Sequence, residues 1–270
     1  MRAPLSLVDK ANALSKKAQA RAIKAYPARV IKGSDPGALS VNMNNALANA
    51  AHRLSLTEKR LMMFAVAKVD SLRVINQREN LPVHITAADY AKAFDLDMTT
   101  AYKDLKAGVD KLYGRSIEWN PTSRVTGHGR DLRWIAEKEY HRKEGWVEMH
   151  INASLLPFLT HLRGQFVSYK LSQASGLRSV YSWRLLELLS QFKRKGWRQD
   201  ELDSFVHAMD VGDTTYGSNF AQLRRWVIEP AVKELVEKDG WEITWDPIKA
   251  GRKVIALRFD FKRTQQRSSV

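Results

Sequence analysis

The chain contains no cysteine, so neither a disulfide framework nor a thiolate-type zinc site is open to it. Proline (8) and glycine (14) are sparse among 270 residues, which excludes collagen-like repeats and linker-like low complexity. No apolar run approaches the roughly 18 residues that a membrane-spanning helix needs. The histidines (His52, His84, His128, His141, His150, His161 and His207) form neither a His-x-His pair nor a His-Glu-x-x-His run. No Gly-x-x-x-x-Gly-Lys loop is present, so nucleotide hydrolysis has no phosphate cradle. These absences lead us to expect no catalytic residues, no metal and no cofactor.

Positive charge is abundant. The chain has 44 Lys+Arg against 29 Asp+Glu, a formal net charge of +15, and 44% of its residues are hydrophobic. That combination describes a folded, non-membrane, cytoplasmic protein with a polyanionic partner, most commonly nucleic acid. The length fits two domains. Residues 1–38 hold eight basic and two acidic side chains and few large apolar ones. They read as a basic flexible arm with a loose helix near residues 7–25, ending in the linker-like Lys32–Gly37. A basic transit peptide has a similar composition.

Local signals then appear in a pattern that occurs twice. Ser55 and Glu58 form a capping box before Leu56, Leu61, Met62, Ala65, Val66 and Val69, which follow helical spacing. A strand is expected around Val83–Ile85. Thr86 and Asp89 open a short helix through Tyr90, Ala93 and Phe94. Asp97 caps a longer helix with Ala101, Leu105, Val109 and Leu112, and Gly114 is expected to end it in a left-handed conformation. The strand Ser116–Trp119 follows. In the second half, 203–211 parallels 90–96, with Phe205 and Met209 standing where Tyr90 and Phe94 stand. A longer turn, Gly212–Ser218, leads to a helix with Phe220, Leu223, Val227, Ala231 and Leu235 on one side. Gly240 stops it before the strand Trp241–Trp245.

Short helix, turn, longer helix and strand pair is the order of a winged helix. The fold class read from the pattern is α+β: two tandem winged-helix domains after the basic arm. We divide the chain at 1–38, 39–164 and 165–270. Between the copies, Val180–Phe192 is apolar on more than one face and should be buried on two sides.

Two groups of side chains qualify as DNA readers. On the second long helix, Gln222, Arg225, Trp226, Glu229 and Lys233 lie opposite the apolar set, with Asn219 at the helix start. Asn and Gln pair with adenine, and Arg pairs with guanine. Arg224 falls nearer the core side at about 100° per residue, and Pro230 should bend the helix. The corresponding face of the first copy offers Thr99, Tyr102, Lys103 and Lys106. Wing tips add Lys249, Arg252 and Lys253, with Asp246-Pro247 and Gly251 bracketing their turn, and in the first copy Arg124 and Arg130. Such tips suit the phosphate backbone. Asp95-Leu96-Asp97 has the composition of a two-carboxylate metal site, but reads better as a turn with Asp97 as helix cap.

The order and spacing of several stretches resemble the plasmid replication initiators of the Rep 3 type. They are Asn45-Ala46-Leu47 with Leu56–Leu61, Val147–Asn152 with Leu156-Pro157-Phe158, Phe166–Leu171 with Ser182–Leu189, and Leu223-Arg224-Arg225 with Pro230-Ala231. The resemblance runs from about Asn42 to Phe261. It implies double-stranded DNA as partner, bound as a monomer at repeated origin sequences (iterons), with the C-terminal domain giving most of the base readout. It places Asn219, Arg224 and Arg225 on the DNA-reading part of the helix. It further implies a homodimer through the N-terminal winged-helix domain that represses its own promoter, origin melting, and recruitment of a host initiator and replicative helicase. Two other readings remain at this stage: a plain winged-helix repressor, and a nickase or primase.

Deleting residues 1–38 should lower the salt dependence of DNA binding and keep the preferred sequence, as read by anisotropy titrations at several salt concentrations.

Overall fold

The computed structural model describes residues 38–71, 79–119, 131–141 and 144–263. The arm, its helix near 7–25, the Lys32–Gly37 linker, Arg124 and Arg130 lie outside the described residues.

The two copies share the order helix, strand, short helix, long helix, and then differ in the number of strands that follow. In the first, α2 (Leu56–Ala67) is followed by β2 (Leu81–Thr86), α3 (Ala87–Phe94), α4 (Met98–Leu112) and β3 (Ser116–Glu118). Then come β4 (Asp131–Arg133), β5 (Ile135–His141) and β6 (Trp146–Ile151). In the second, α6 (Val180–Ser190) is followed by β8 (Trp197–Glu201), α7 (Leu202–Ala208) and a short α8 (Thr215–Ser218). A long helix follows in three parts: α9 (Phe220–Leu223), a π-helical turn (Arg224–Ile228) and α10 (Glu229–Asp239). The strands β9 (Trp241–Ala250) and β10 (Lys253–Arg263) complete it. In each copy a late strand returns antiparallel to the first one: β6 on β2, β10 on β8. The sheets run β2-β6-β5 and β8-β10-β9, and β3 pairs with β4 as the described part of the first wing. These are two tandem winged helices.

Between the copies, β7 (Phe166–Lys170) pairs antiparallel with β1 (Ser40–Asn44), which leads into α1 (Asn45–Asn49). The one-turn helix α5 (Leu171–Ser175) follows β7. Helix α6 is buried from Ser182 to Ser190, as its all-round apolar pattern requires. It occupies in the second copy the place that α2 holds in the first.

Local sequence explains the helix ends. Ser55 and Glu58 close a reciprocal capping box. Thr86 and Asp97 cap α3 and α4 by accepting from the backbone of Asp89 and Thr100. Asp95 and Asp210, 115 positions apart, are both left-handed (φ 50° and 61°) at the ends of α3 and α7, a conformation that short polar side chains tolerate. Asp95-Leu96-Asp97 is therefore a helix–helix turn, and the described residues contain no metal-type cluster. Tyr90, Phe94, Phe205 and Met209 are buried at equivalent positions.

Two expectations need correction. Gly114 is not left-handed: α4 ends in right-handed turns, with the Gly114 and Arg115 N–H groups donating to Lys111 and Leu112 at 3.0 Å each. Gly240 does take the left-handed cap, at φ 67°. Asp246-Pro247 is not part of a turn either. β9 runs straight through it as an edge strand, where proline costs no ladder bond needed by a neighbour. The hairpin reverses only at Gly251-Arg252, with Gly251 at φ 61°.

The copies are tied together by a buried polar cluster that centres on Glu187 of α6. Its carboxylate accepts from Lys59 Nζ at 2.7 Å, Arg184 at 3.0 Å and the Tyr169 hydroxyl at 2.9 Å. Trp183 Nε1 donates to that hydroxyl at 2.8 Å. Arg184 also donates to the carbonyls of Ala50 and Ala208, one from each copy. His52 completes the cluster. Its Nε2 lies 2.8 Å from the Leu47 carbonyl, and its Nδ1 lies 3.0 Å from Lys59 Nζ and 3.1 Å from Arg184. Only a neutral ring, protonated on Nε2, satisfies all of these contacts. Burial, then Arg184 and Lys59, hold the His52 pKa well below 6.5. Burial also brings Lys59 down to about 8, against the pull of Glu187.

Two outcomes follow from this cluster. Glu187→Gln leaves Lys59 and Arg184 facing each other without their anion, and should cost about 3–5 kcal/mol in denaturant unfolding. Because the folded-state pKa of His52 is depressed, only the unfolded chain takes up its proton as pH falls below 6.5. This group's contribution to stability is present above 6.5 and declines by up to about 1.4 kcal/mol per pH unit below it. His84 and His207 act in the same sense and His150 opposes them. Unfolding curves at pH 7, 6 and 5 should show a net loss that is smaller in His52→Gln.

Candidate nucleic-acid interface

The second copy presents a long helix beside a hairpin. Asn219 starts the helix, its Oδ1 accepting from the N–H groups of Ala221 (2.9 Å) and Gln222 (3.2 Å). That oxygen is a helix cap first, which leaves the amide NH2 as the group free to face a ligand. The approach to the helix is tight. A Cβ on Gly217 would meet the Val211 carbonyl oxygen at 2.4 Å, so only glycine fits there.

The π-turn decides that Arg224 faces outward. In a regular helix, at about 100° per residue, Leu223, Val227, Ile228, Ala231 and Leu235 would spread over roughly 140°, with Arg224 inside that arc. The extra residue in the π-turn rotates everything after it back by about 100°, which turns Ala231 and Leu235 toward the direction of Leu223 and leaves Arg224 outside the apolar stripe. All five apolar residues are buried, while Arg224, Arg225 and Trp226 are consecutively exposed. The turn also accommodates Pro230. The Glu229 N–H reaches the Arg224 carbonyl, and the proline sits in the first turn of α10, where its missing N–H leaves no gap. Pro230, the position at which the sequence predicts a bend, thus follows directly on this change of register.

The two arginines are held differently. Arg224 donates through Nε to Glu229 at 2.7 Å, a neighbour at i+5 only because of the π-turn, and lies 5.9 Å from the Trp245 ring of β9. That contact, with Phe220 against Trp245 at 6.5 Å, seats the helix beside the wing. Arg225 stacks over Trp226 at 5.0 Å and has no carboxylate partner among the described residues. Gln222 and Lys233 are exposed on the same face, Lys233 loosely paired with Glu237 at 3.8 Å. Lys249, Arg252 and Lys253 are exposed at the hairpin tip, in no ion pair among the described residues. The arrangement exposes two guanidinium groups on the helix and three cations at the neighbouring hairpin tip.

The first copy is less open. Thr99 and Lys103 are exposed, but Tyr102 and Lys106 are half-buried, lining a small hollow with Tyr140, His141 and Trp146. The sheet β2-β6-β5 claims that part of the face. Two contributors escaped the sequence reading. Trp245 looked like a strand residue and carried no signal of its partner. Arg53 is left-handed (φ 52°) and bridges the copies through Glu118, Asp213 and the Asp210 carboxylate.

Residues 40–190 match the family model described as initiator replication protein, WH1, and residues 201–261 the one described as initiator Rep protein, WH2. An uncharacterized 27.6 kDa protein of Escherichia coli is 26% identical over 208 residues, covering 74% of this chain and 86% of that protein. The PI protein of Escherichia coli is 25% identical over 252 residues, covering 82% of each. A crystal structure of the Pi initiator protein in complex with iteron DNA superposes with a TM-score of 0.71 at 21% identity, covering 85% of this chain and 99% of that one, and shares its fold.

Arg225→Ala should cost about 1–3 kcal/mol at one base position and relax selection there, as read from binding to single-position variants of the site. Replacing Lys249, Arg252 and Lys253 together by Ala should weaken binding to all sequences alike. It should also lower the salt slope by about 0.9 for each phosphate that is no longer neutralised.

Proposed function

The chain belongs to the Rep 3 type of plasmid replication initiators, and on that premise we propose that it binds repeated double-stranded origin sequences as a monomer to start replication. The observation that carries this reading is the outward row Arg224-Arg225-Trp226 beside a cationic hairpin tip, on the second of two winged helices. Arg224, Arg225, Gln222 and the Asn219 amide read bases in the major groove, while Lys233, Lys249, Arg252 and Lys253 hold phosphates. The N-terminal domain, residues 39–164, adds contacts from Thr99 and Lys103 and mediates homodimerisation. Residues 165–270 form the main reader. Occupied repeats bend the origin, help to melt a neighbouring A·T-rich tract and recruit the host initiator and helicase. The dimer represses the chain's own promoter. The protein acts through binding and not as an enzyme, on its plasmid in the cytoplasm. The PI-type relative in complex with iteron DNA supports the choice of ligand.

A footprint of the purified full chain across the DNA flanking its gene tests this. Each monomer should protect about two helical turns, roughly 20 bp. Several such sites in direct repeat beside an A·T-rich tract are expected. A lone inverted repeat over the promoter would make the protein a repressor, and the replication reading would be withdrawn.

A further inference from the structure

Trp226 is a large apolar side chain left half in solvent, at 50% exposure, in the middle of a polar helix face. It projects from the π-turn between buried Leu223 and Val227, and its flanking outward neighbours are Arg225, Gln222 and Glu229. The Arg225 guanidinium lies 5.0 Å from the ring centroid, so the indole shapes the arginine while its remaining surface stays open. A single exposed indole is ordinary on a protein surface, but this one is stacked with an arginine on the helix face that carries the proposed DNA contacts, so a bound duplex would cover it. A major groove offers base edges that are polar throughout, with one exception: the C5-methyl group of thymine.

We propose that Trp226 reads the 5-methyl group of a thymine next to the base pair contacted by Arg225, the two side chains recognising a thymine–guanine neighbourhood as one stacked unit. This rests on the duplex-DNA reading of the helix and adds a specificity determinant to it. Arg225 supplies the hydrogen bonds to guanine, and the indole supplies the apolar contact beside them. The cation–π contact fixes the lateral offset between the two.

The test uses the full chain and the duplex it enriches from a random-sequence pool. Each thymine is replaced in turn by deoxyuridine, which removes only the methyl group, and affinity is read by anisotropy. A decrease of about four-fold at one thymine is expected, the effect of one buried carbon. That thymine should adjoin the guanine whose replacement Arg225→Ala tolerates. Trp226→Ala should bind the parent site more weakly and respond to deoxyuridine no longer, whereas Trp226→Leu should keep the methyl sensitivity. Both variants change an exposed side chain, and circular dichroism checks that they fold. Deoxyuridine being neutral at every position, or Trp226→Ala remaining sensitive at the same thymine, would overturn the proposal while leaving specific binding intact. A change in oligomeric state on Trp226→Ala with no change in base preference would make the indole a protein contact and overturn it too. Failure of the pool to enrich any sequence would remove the DNA reading and the methyl contact together.

Discussion

Everything in this architecture depends on one buried negative charge. Glu187 sits at 0% side-chain exposure and holds two cations and a phenol around it. Lys59 comes from the first copy and Arg184 from the second, and the carbonyls that Arg184 satisfies belong one to each. A lone buried carboxylate would be prohibitive, and so would Lys59 beside Arg184. Each group is tolerable only with the others present. The cluster therefore fixes a relative placement more than it adds net stability. A hydrophobic contact of the same area would permit sliding, whereas this set of directed bonds permits one arrangement.

The second constraint is a single inserted residue in a helix turn. In a regular helix the five apolar positions of the long helix would share their arc with Arg224, and proline at position 230 is inconsistent with an unbroken hydrogen-bond ladder. The π-turn reconciles both. It brings the five apolar residues onto one stripe and sets Glu229 where it can grip Arg224. The outward position of Arg224 is thus a by-product of satisfying the core.

Much of this was legible in the sequence because it is encoded locally. Ser55, Thr86 and Asp97 announce their helices through short-range bonds, and the repeat of Tyr90 and Phe94 in Phe205 and Met209 reports a shared core position. The outward set Gln222, Arg225, Trp226 and Lys233 followed from periodicity alone. What escaped depends on distant partners. The buried cluster of Arg184 and Glu187 was not read from the sequence, because its partners Lys59 and His52 lie more than 100 positions away. Arg224 looked core-facing because the register change cannot be read from spacing. Tyr102 and Lys106 looked exposed because the β5–β6 hairpin that covers them arrives later in the chain.

Helix α6 serves as the first helix of the second copy and as a wall against which α1 and β7 of the preceding segment pack. A shared structural member of this kind makes the assembly a fixed-gauge ruler. Under the proposed function, the bases preferred can drift by exchanging surface side chains such as Gln222 or Trp226, none of which carries the fold. The distance and rotational phase between the two DNA contacts cannot drift that way, since altering them means rebuilding a core around a buried charge. Relatives of this protein should therefore diverge in the letters they read long before they diverge in the spacing at which they read them.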